Sequence, residues 1–391
     1  MWHLLWLLLP IAALSGWWGG YRSARKRSNQ STPSLSRDYF QGLNYLLNEQ
    51  PDRAIEVFTR MAETDEDTVE THLTLGNLFR RRGEAERAVR IHQNLMARPS
   101  LAPNQRASAL VELARDYMAA GLLDRAEALF TEALDFPDYR TEALRTLVDI
   151  YQQEKEWESA INTAEKLQKA SRQNFGPIMA QFACEQAENL IREQAEASAV
   201  RQPIRRALGF DPHCVRASLL RADVEQSQGR WRAAIKACQQ VESQDVDYIP
   251  EVLSRLEASY QALDERAAFM AELYRLLNRY PGVSVLMTLS ELIDEQQGRK
   301  AAIEFLATQL RERPSVRGLD RLIALNITDD DSDPRRQRDL KVLRELFAAL
   351  LSDRLPYRCV DCGFEGRQLH WQCPSCRAWA SIKPQRGLQG E

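Results

Sequence analysis

Hydrophobic and polar positions divide the chain into three regimes. From Trp2 to Tyr21 the residues are almost continuously apolar and carry no formal charge. Twenty residues at about 1.5 Å each span about 30 Å, the thickness of a bilayer's hydrocarbon core. Trp2 and Trp6 lie near one end and Trp17, Trp18 and Tyr21 near the other, where amphipathic rings settle at the headgroups. Arg22, Arg25, Lys26 and Arg27 follow at once. The pattern predicts a transmembrane helix over 1–21 and a basic, polar juxtamembrane linker over 22–38. A cleaved signal peptide carries its charges before the apolar run and small residues at its exit; here the charges follow, and Trp17-Trp18 stand at the exit. The positive-inside rule then leaves the N-terminus outside and the rest in the cytoplasm. Ala12, Gly16 and Gly20 form a small-residue stripe, which lets membrane helices approach closely but also arises often by chance.

The second regime has helical periodicity and repeats itself about every 34 residues. Gly42, Tyr45, Ala54 and Phe58 stand at positions 8, 11, 20 and 24 of a helix–turn–helix unit. Gly76, Phe79 and Ala88 repeat the pattern 34 residues on, with Gly83 at the turn. Tyr117, Gly121, Ala126 and Phe130 follow after an insertion around Pro99–Pro103, then Tyr151 and Ala160, then Gly229 and Ala234. Tyr260 and Gly298 are looser echoes. This register resembles the tetratricopeptide repeat. It predicts an all-α solenoid over 39–328, with residues 39–310 long enough for about eight units and 171–207 a degenerate or lengthened one. Small residues at positions 8 and 20 should meet where paired helices touch, and the aromatics at 11 and 24 should fill the space between units. Pro212, Pro250 and Pro281 fall where helices should break. Asp333 and Pro334 suit the N-cap and first turn of a linking helix within 329–353, with Leu340, Leu343, Phe347, Leu350 and Leu351 on one face.

Composition narrows the function classes. With 52 Lys and Arg against 55 Asp and Glu, the chain lacks the basic excess of a nucleic-acid coat. No phosphate-binding glycine loop, GxSxG elbow or HExxH is present, so no catalytic or organic-cofactor site is expected. His92 occupies a packing position, and Cys184, Cys214 and Cys238 read as scattered, small buried hydrophobes.

The third regime, 354–391, holds the chemistry. Cys359 and Cys362 form one CxxC, and Cys373 and Cys376 a second, with ten residues between the two motifs. Each CxxC makes a tight knuckle aiming two sulfurs at one point, and two knuckles make a tetrahedral thiolate cage for one metal ion, zinc or iron. An odd total of seven cysteines, four of them crowded into the tail, fits a metal site in a reducing compartment better than a disulfide framework. So short a segment must draw folding free energy from the metal. Tyr357, Phe364, Trp371 and Trp379 should pack as its miniature core, and His370 should stay outside the cage. The short link after the helix predicts a tail docked against the end of the solenoid. The knuckles look like rubredoxin's, except that Arg377 follows the second where rubredoxins usually have Gly, and the intervening loop is shorter; the segment reads equally as a short zinc ribbon.

One anchor with its charges behind it, a tetratricopeptide solenoid and a rubredoxin-like tail together resemble the lipopolysaccharide assembly protein B family, the YciM-type inner-membrane proteins of Gram-negative bacteria. The resemblance spans essentially the whole chain, and its most specific parts are the order of modules and the Cys359, Cys362, Cys373 and Cys376 set. It implies a non-enzymatic, single-pass adaptor that promotes degradation of LpxC by the membrane protease FtsH and gathers lipopolysaccharide-synthesis enzymes at the cytoplasmic face. It further implies a membrane-embedded regulator as partner, and iron as the tail metal. Three other classes stand beside it: a rubredoxin-type electron carrier, a general repeat scaffold unrelated to lipopolysaccharide, and a nucleic-acid-binding ribbon. Six basic and four acidic side chains in 353–391 are too balanced for the last.

Overall fold

The computed structural model describes residues 37–48, 50–64, 69–99, 101–280, 282–327, 334–352 and 355–386. The expected anchor over 1–21, its small-residue stripe, and the linker up to residue 36 lie outside these. Among the described residues no helix is long and apolar enough to cross a membrane.

The described chain runs as consecutive helices that pair in order. The pairs are α1 (Arg37–Leu47) with α2 (Pro51–Thr64), α3 (Val69–Arg81) with α4 (Ala85–Met96), and α5 (Pro103–Ala119) with α6 (Leu123–Ala133); α7 (Pro137–Glu154) and α8 (Trp157–Ser171) come next in the chain. There follow α9 (Gly176–Arg192) with α10 (Ala197–Phe210), α11 (Val215–Ser227) with α12 (Trp231–Gln244), α13 (Ile249–Ala262) with α14 (Arg266–Arg279), and α15 (Val283–Gln297) with α16 (Arg299–Glu312). The last described pair joins α17 (Val316–Asn326) to α18 (Pro334–Ser352). Two compact units meet at Ala143 and Leu144, within α7.

In the first unit the repeat register becomes contact. Ala54, Ala88 and Ala126 are wholly buried, as are Phe58 and Phe130. Besides facing the next unit, where Phe58 clusters with Leu75, Leu78 and Phe79, the position-24 ring lies over the position-8 glycine of its own pair: a Cβ on Gly42 would sit 2.6 Å from Phe58, and one on Gly76 2.4 Å from His92. Gly83 and Gly121 turn the chain between paired helices at φ of 80° and 73°, a region glycine enters without steric cost. His92 packs as expected, with an addition: its Nδ1 lies 2.5 Å from the buried Asp116 carboxylate, which also accepts from Arg80 at 2.6 Å.

The second unit has a continuous core through α11 to α17, including Tyr248, Leu256, Leu273, Tyr280, Leu289 and Leu306. The poorly matching 171–207 stretch is lengthened, not degenerate. The helices opening at Pro137, Gly176 and Val215 start 39 residues apart, yet α9 and α10 form an ordinary pair even with Pro203 inside α10. Pro250 sits in the first turn of α13, where its missing N–H breaks no helical bond. Helix α18 begins at Pro334 as expected and packs on α17. Its apolar residues do not form one covered stripe: Leu340 and Phe347 are half-buried, while Val342, Leu343 and Leu346 are exposed. The all-α description ends at residue 356. In the tail, β1 (Tyr357–Cys359) pairs antiparallel with β2 (Glu365–Gly366) on one side and β3 (Ile382–Pro384) on the other.

Candidate metal centre

The two knuckles are built alike. In the first, the Gly363 N–H donates to the Cys359 carbonyl at 3.0 Å, and the Cys359 N–H to the Phe364 carbonyl at 2.7 Å. In the second, Arg377 donates to Cys373 at 2.9 Å, and Cys373 to Ala378 at 2.9 Å. Gly363 has φ 77° and Arg377 has φ 61°. The arginine that departs from rubredoxin's glycine thus adopts the glycine's backbone, at a steric cost of roughly 1–2 kcal/mol.

These turns bring all four sulfurs within 4.8 Å of one another. Cys359 and Cys376 stand 3.8 Å apart, and Cys362 and Cys373 3.6 Å. A tetrahedron of sulfurs about 2.3 Å from one ion has edges of about 3.8 Å, so the set fits a single zinc or iron ion. Cys359 and Cys373 are buried; Cys362 and Cys376 face solvent. Burial works against the Cys359 thiolate, but the Ser381 hydroxyl and the amides of Cys362 and Asp361 outweigh it and bring the thiol down to about 6. The Phe364 amide lowers Cys362. At Cys376 the Ala378 amide favours the thiolate, yet desolvation and the three neighbouring sulfurs push the thiol up to about 12. Four thiols in contact resist joint ionisation, and a cation at their centre removes that conflict.

The tail's core is smaller than the sequence suggests. Cys359, Cys373 and Ile382 form it, with Tyr357, Phe364 and Leu369 against them; His370 is exposed. Trp371 and Trp379, expected in that core, turn instead to the repeats of the second unit, where their large apolar area finds partners that a ribbon of this size lacks. Trp371 stacks on Tyr248 at 5.6 Å, and Trp379 meets Phe182 edge-on at 6.0 Å. The indole N–H of Trp379 donates to Gln152 at 3.1 Å, and the Tyr248 hydroxyl donates to the Ile382 carbonyl at 2.9 Å. The Arg216 guanidinium lies 5.9 Å from both tryptophan rings. Lys383 reaches Asp245 at 2.7 Å and Asp247 at 3.0 Å, Arg386 pairs with Asp247, and Tyr357 donates to Glu251 at 2.7 Å.

The tail therefore docks along α7, α9, α11 and α13 and the short turn before α13, not at the end of the array. Those are alternate helices of the array. Sequence reasoning missed Arg216, Tyr248 and the Asp245–Asp247 pair, which belong to no motif. The available signal was indirect: two tryptophans exceed what a core of this size can cover.

Residues 357–384 match the family described as a rubredoxin metal binding domain, and residues 71–107 match the tetratricopeptide repeat. Over 391 residues the chain is 39% identical to lipopolysaccharide assembly protein B of Escherichia coli strain K12, with 100% of both chains covered. It is 40% identical over 390 residues to the protein of the same name from Haemophilus influenzae, with 98% of each covered. Kinship of that extent, end to end, makes the chain a member of the lipopolysaccharide assembly protein B family.

Proposed function

We propose that the chain is a non-enzymatic adaptor in lipopolysaccharide synthesis, held at the cytoplasmic face of the inner membrane by a single helix at 1–21. Residues 22–38 link that anchor to a repeat body over 39–328, a linking helix lies within 329–353, and 354–391 form the metal domain. The observation that carries this reading is the full-length kinship with proteins named for lipopolysaccharide assembly, in a chain whose repeats offer long binding faces. The finer step, delivery of LpxC to the protease FtsH under a membrane-embedded regulator, rests on the family resemblance. Anchoring supports it physically, because confinement to the membrane raises the effective concentration of membrane partners.

Cys359, Cys362, Cys373 and Cys376 are the ligands in this reading. A zinc or iron ion there supplies folding free energy to a segment too small to fold on its own core. Electron transfer is a second reading, favoured only by the exposure of Cys362 and Cys376; metal that cycles and passes electrons to a reductase would establish it. The adaptor reading is tested by quantifying LpxC in cells with and without this protein. Loss of the protein raises LpxC; an unchanged level overturns the reading.

A further inference from the structure

Two cysteines that the sequence presents as scattered hydrophobes lie together beneath the seat of the metal domain. Cys184, midway along α9, and Cys214, the residue before α11, place their sulfurs 3.8 Å apart, both buried. Their surroundings are not those of inert thiols. The Gln181 side-chain amide donates to the Cys214 sulfur at 3.6 Å. Cys214 stands at the N-terminus of α11, where free amides and the helix dipole favour a thiolate. The Cys184 thiol and the Ala217 amide hydrogen-bond to it and lower it against the cost of burial, while burial raises Cys184. Cys238 offers the contrast: burial pushes it up to about 12, and it has no sulfur partner among the described residues.

The pair is wired to the tail. Gln181, which donates to Cys214, also accepts from Arg216 at 3.4 Å. Arg216 is held by Glu185 at 2.6 Å and Glu188 at 2.7 Å, and its guanidinium faces both Trp371 and Trp379. We propose that Cys184 and Cys214 are a redox-responsive dithiol whose closure to a disulfide between α9 and α11 alters how the metal domain is seated. The proposal stands on this geometry and does not depend on the adaptor reading.

Hydrogen peroxide is the class of oxidant that suits a buried pair, being small and uncharged. The Cys214 sulfur attacks one peroxide oxygen and the O–O bond breaks. Cys214 becomes a sulfenic acid, and the departing hydroxide takes the thiol proton as water. The Cys184 sulfur then attacks the sulfenic sulfur; the S–S bond forms, the S–O bond breaks, and hydroxide leaves with the Cys184 proton as a second water. Two thiols lose two electrons, and one peroxide becomes two waters. The sulfurs must close to about 2.05 Å. In a close-packed interior that contraction displaces neighbours, and Arg216, two residues from Cys214, and Phe182, two residues from Cys184, both touch the tryptophans.

The test uses purified full-length protein exposed to hydrogen peroxide, with free thiols then alkylated. Peptide mapping without reductant reads the linkage, and tryptophan emission reads the tail. The expected result is a linked Cys184–Cys214 peptide together with an emission shift, both reversed by dithiothreitol. Cys184→Ala should abolish both, and Cys238→Ser should leave both intact. Oxidation of the tail's own thiols would shift emission equally in Cys184→Ala, so an undiminished shift there overturns the coupling. A linked peptide that forms only in urea, or none at all, overturns the dithiol; the wild-type protein supplies that reading even if a variant folds poorly.

Discussion

Gly42 and Gly76 are glycines because a ring occupies the place of a side chain. The register of positions 8, 20 and 24 was legible in sequence, since each residue type there answers a local steric demand. Which of these residues touch was not, because the ring crosses back over its own pair. Gly42→Ala forces a methyl to within 2.6 Å of Phe58 and should cost about 1–3 kcal/mol of stability in urea unfolding. Phe58→Leu in the same chain should recover part of that loss by opening the space. His92 was legible as a packing residue, but its pairing with Asp116 was not, for that contact depends on how α4 meets α5. Arg377 gives the opposite case, a residue that fits its site poorly. Arg377→Gly removes the cost of a left-handed arginine and should stabilise the tail by about 1 kcal/mol, read as tighter metal retention against a competing chelator.

At the scale of elements, helix pairing followed from periodicity, and the paired CxxC spacing announced the metal knuckles. The docking site could not be read, because Gln152, Phe182, Arg216, Tyr248 and Glu251 come together only once successive pairs stack. Trp379→Ala removes the edge contact to Phe182 and the hydrogen bond to Gln152. It should make the segment 357–386 cleavable in limited proteolysis while the far-ultraviolet helical signal persists. Lys383 adds a pH dependence. Burial opposes its ammonium, but hydrogen bonds and charge from Asp245 and Asp247 outweigh it, so its pKa is raised above 10.5. A raised folded value means this contribution to docking is fully present below 10.5 and is lost as pH climbs through the folded value. Protease resistance of the tail should therefore hold at neutral pH and fall in strong alkali, and Lys383→Met should flatten that part of the profile.

For the molecule as a whole, repeats followed by a four-cysteine tail were the most legible feature, and the two family matches fall in that order. Removing the metal with a strong chelator should unfold the tail and leave the repeats helical, since their buried core includes no tail cysteine. A reporter fused after Glu391 that works only in the periplasm should stay silent if the body lies in the cytoplasm; activity there would reverse the topology. The central claim, that this chain controls LpxC through its repeats and metal domain, is tested most directly by the half-life of LpxC in cells with active FtsH. Cells lacking the protein are compared with cells carrying wild type or a Trp371→Ala, Trp379→Ala variant. LpxC should decay slowly without the protein, fast with wild type, and slowly with the variant whose tail is released; an LpxC half-life that is the same in all three would overturn the claim.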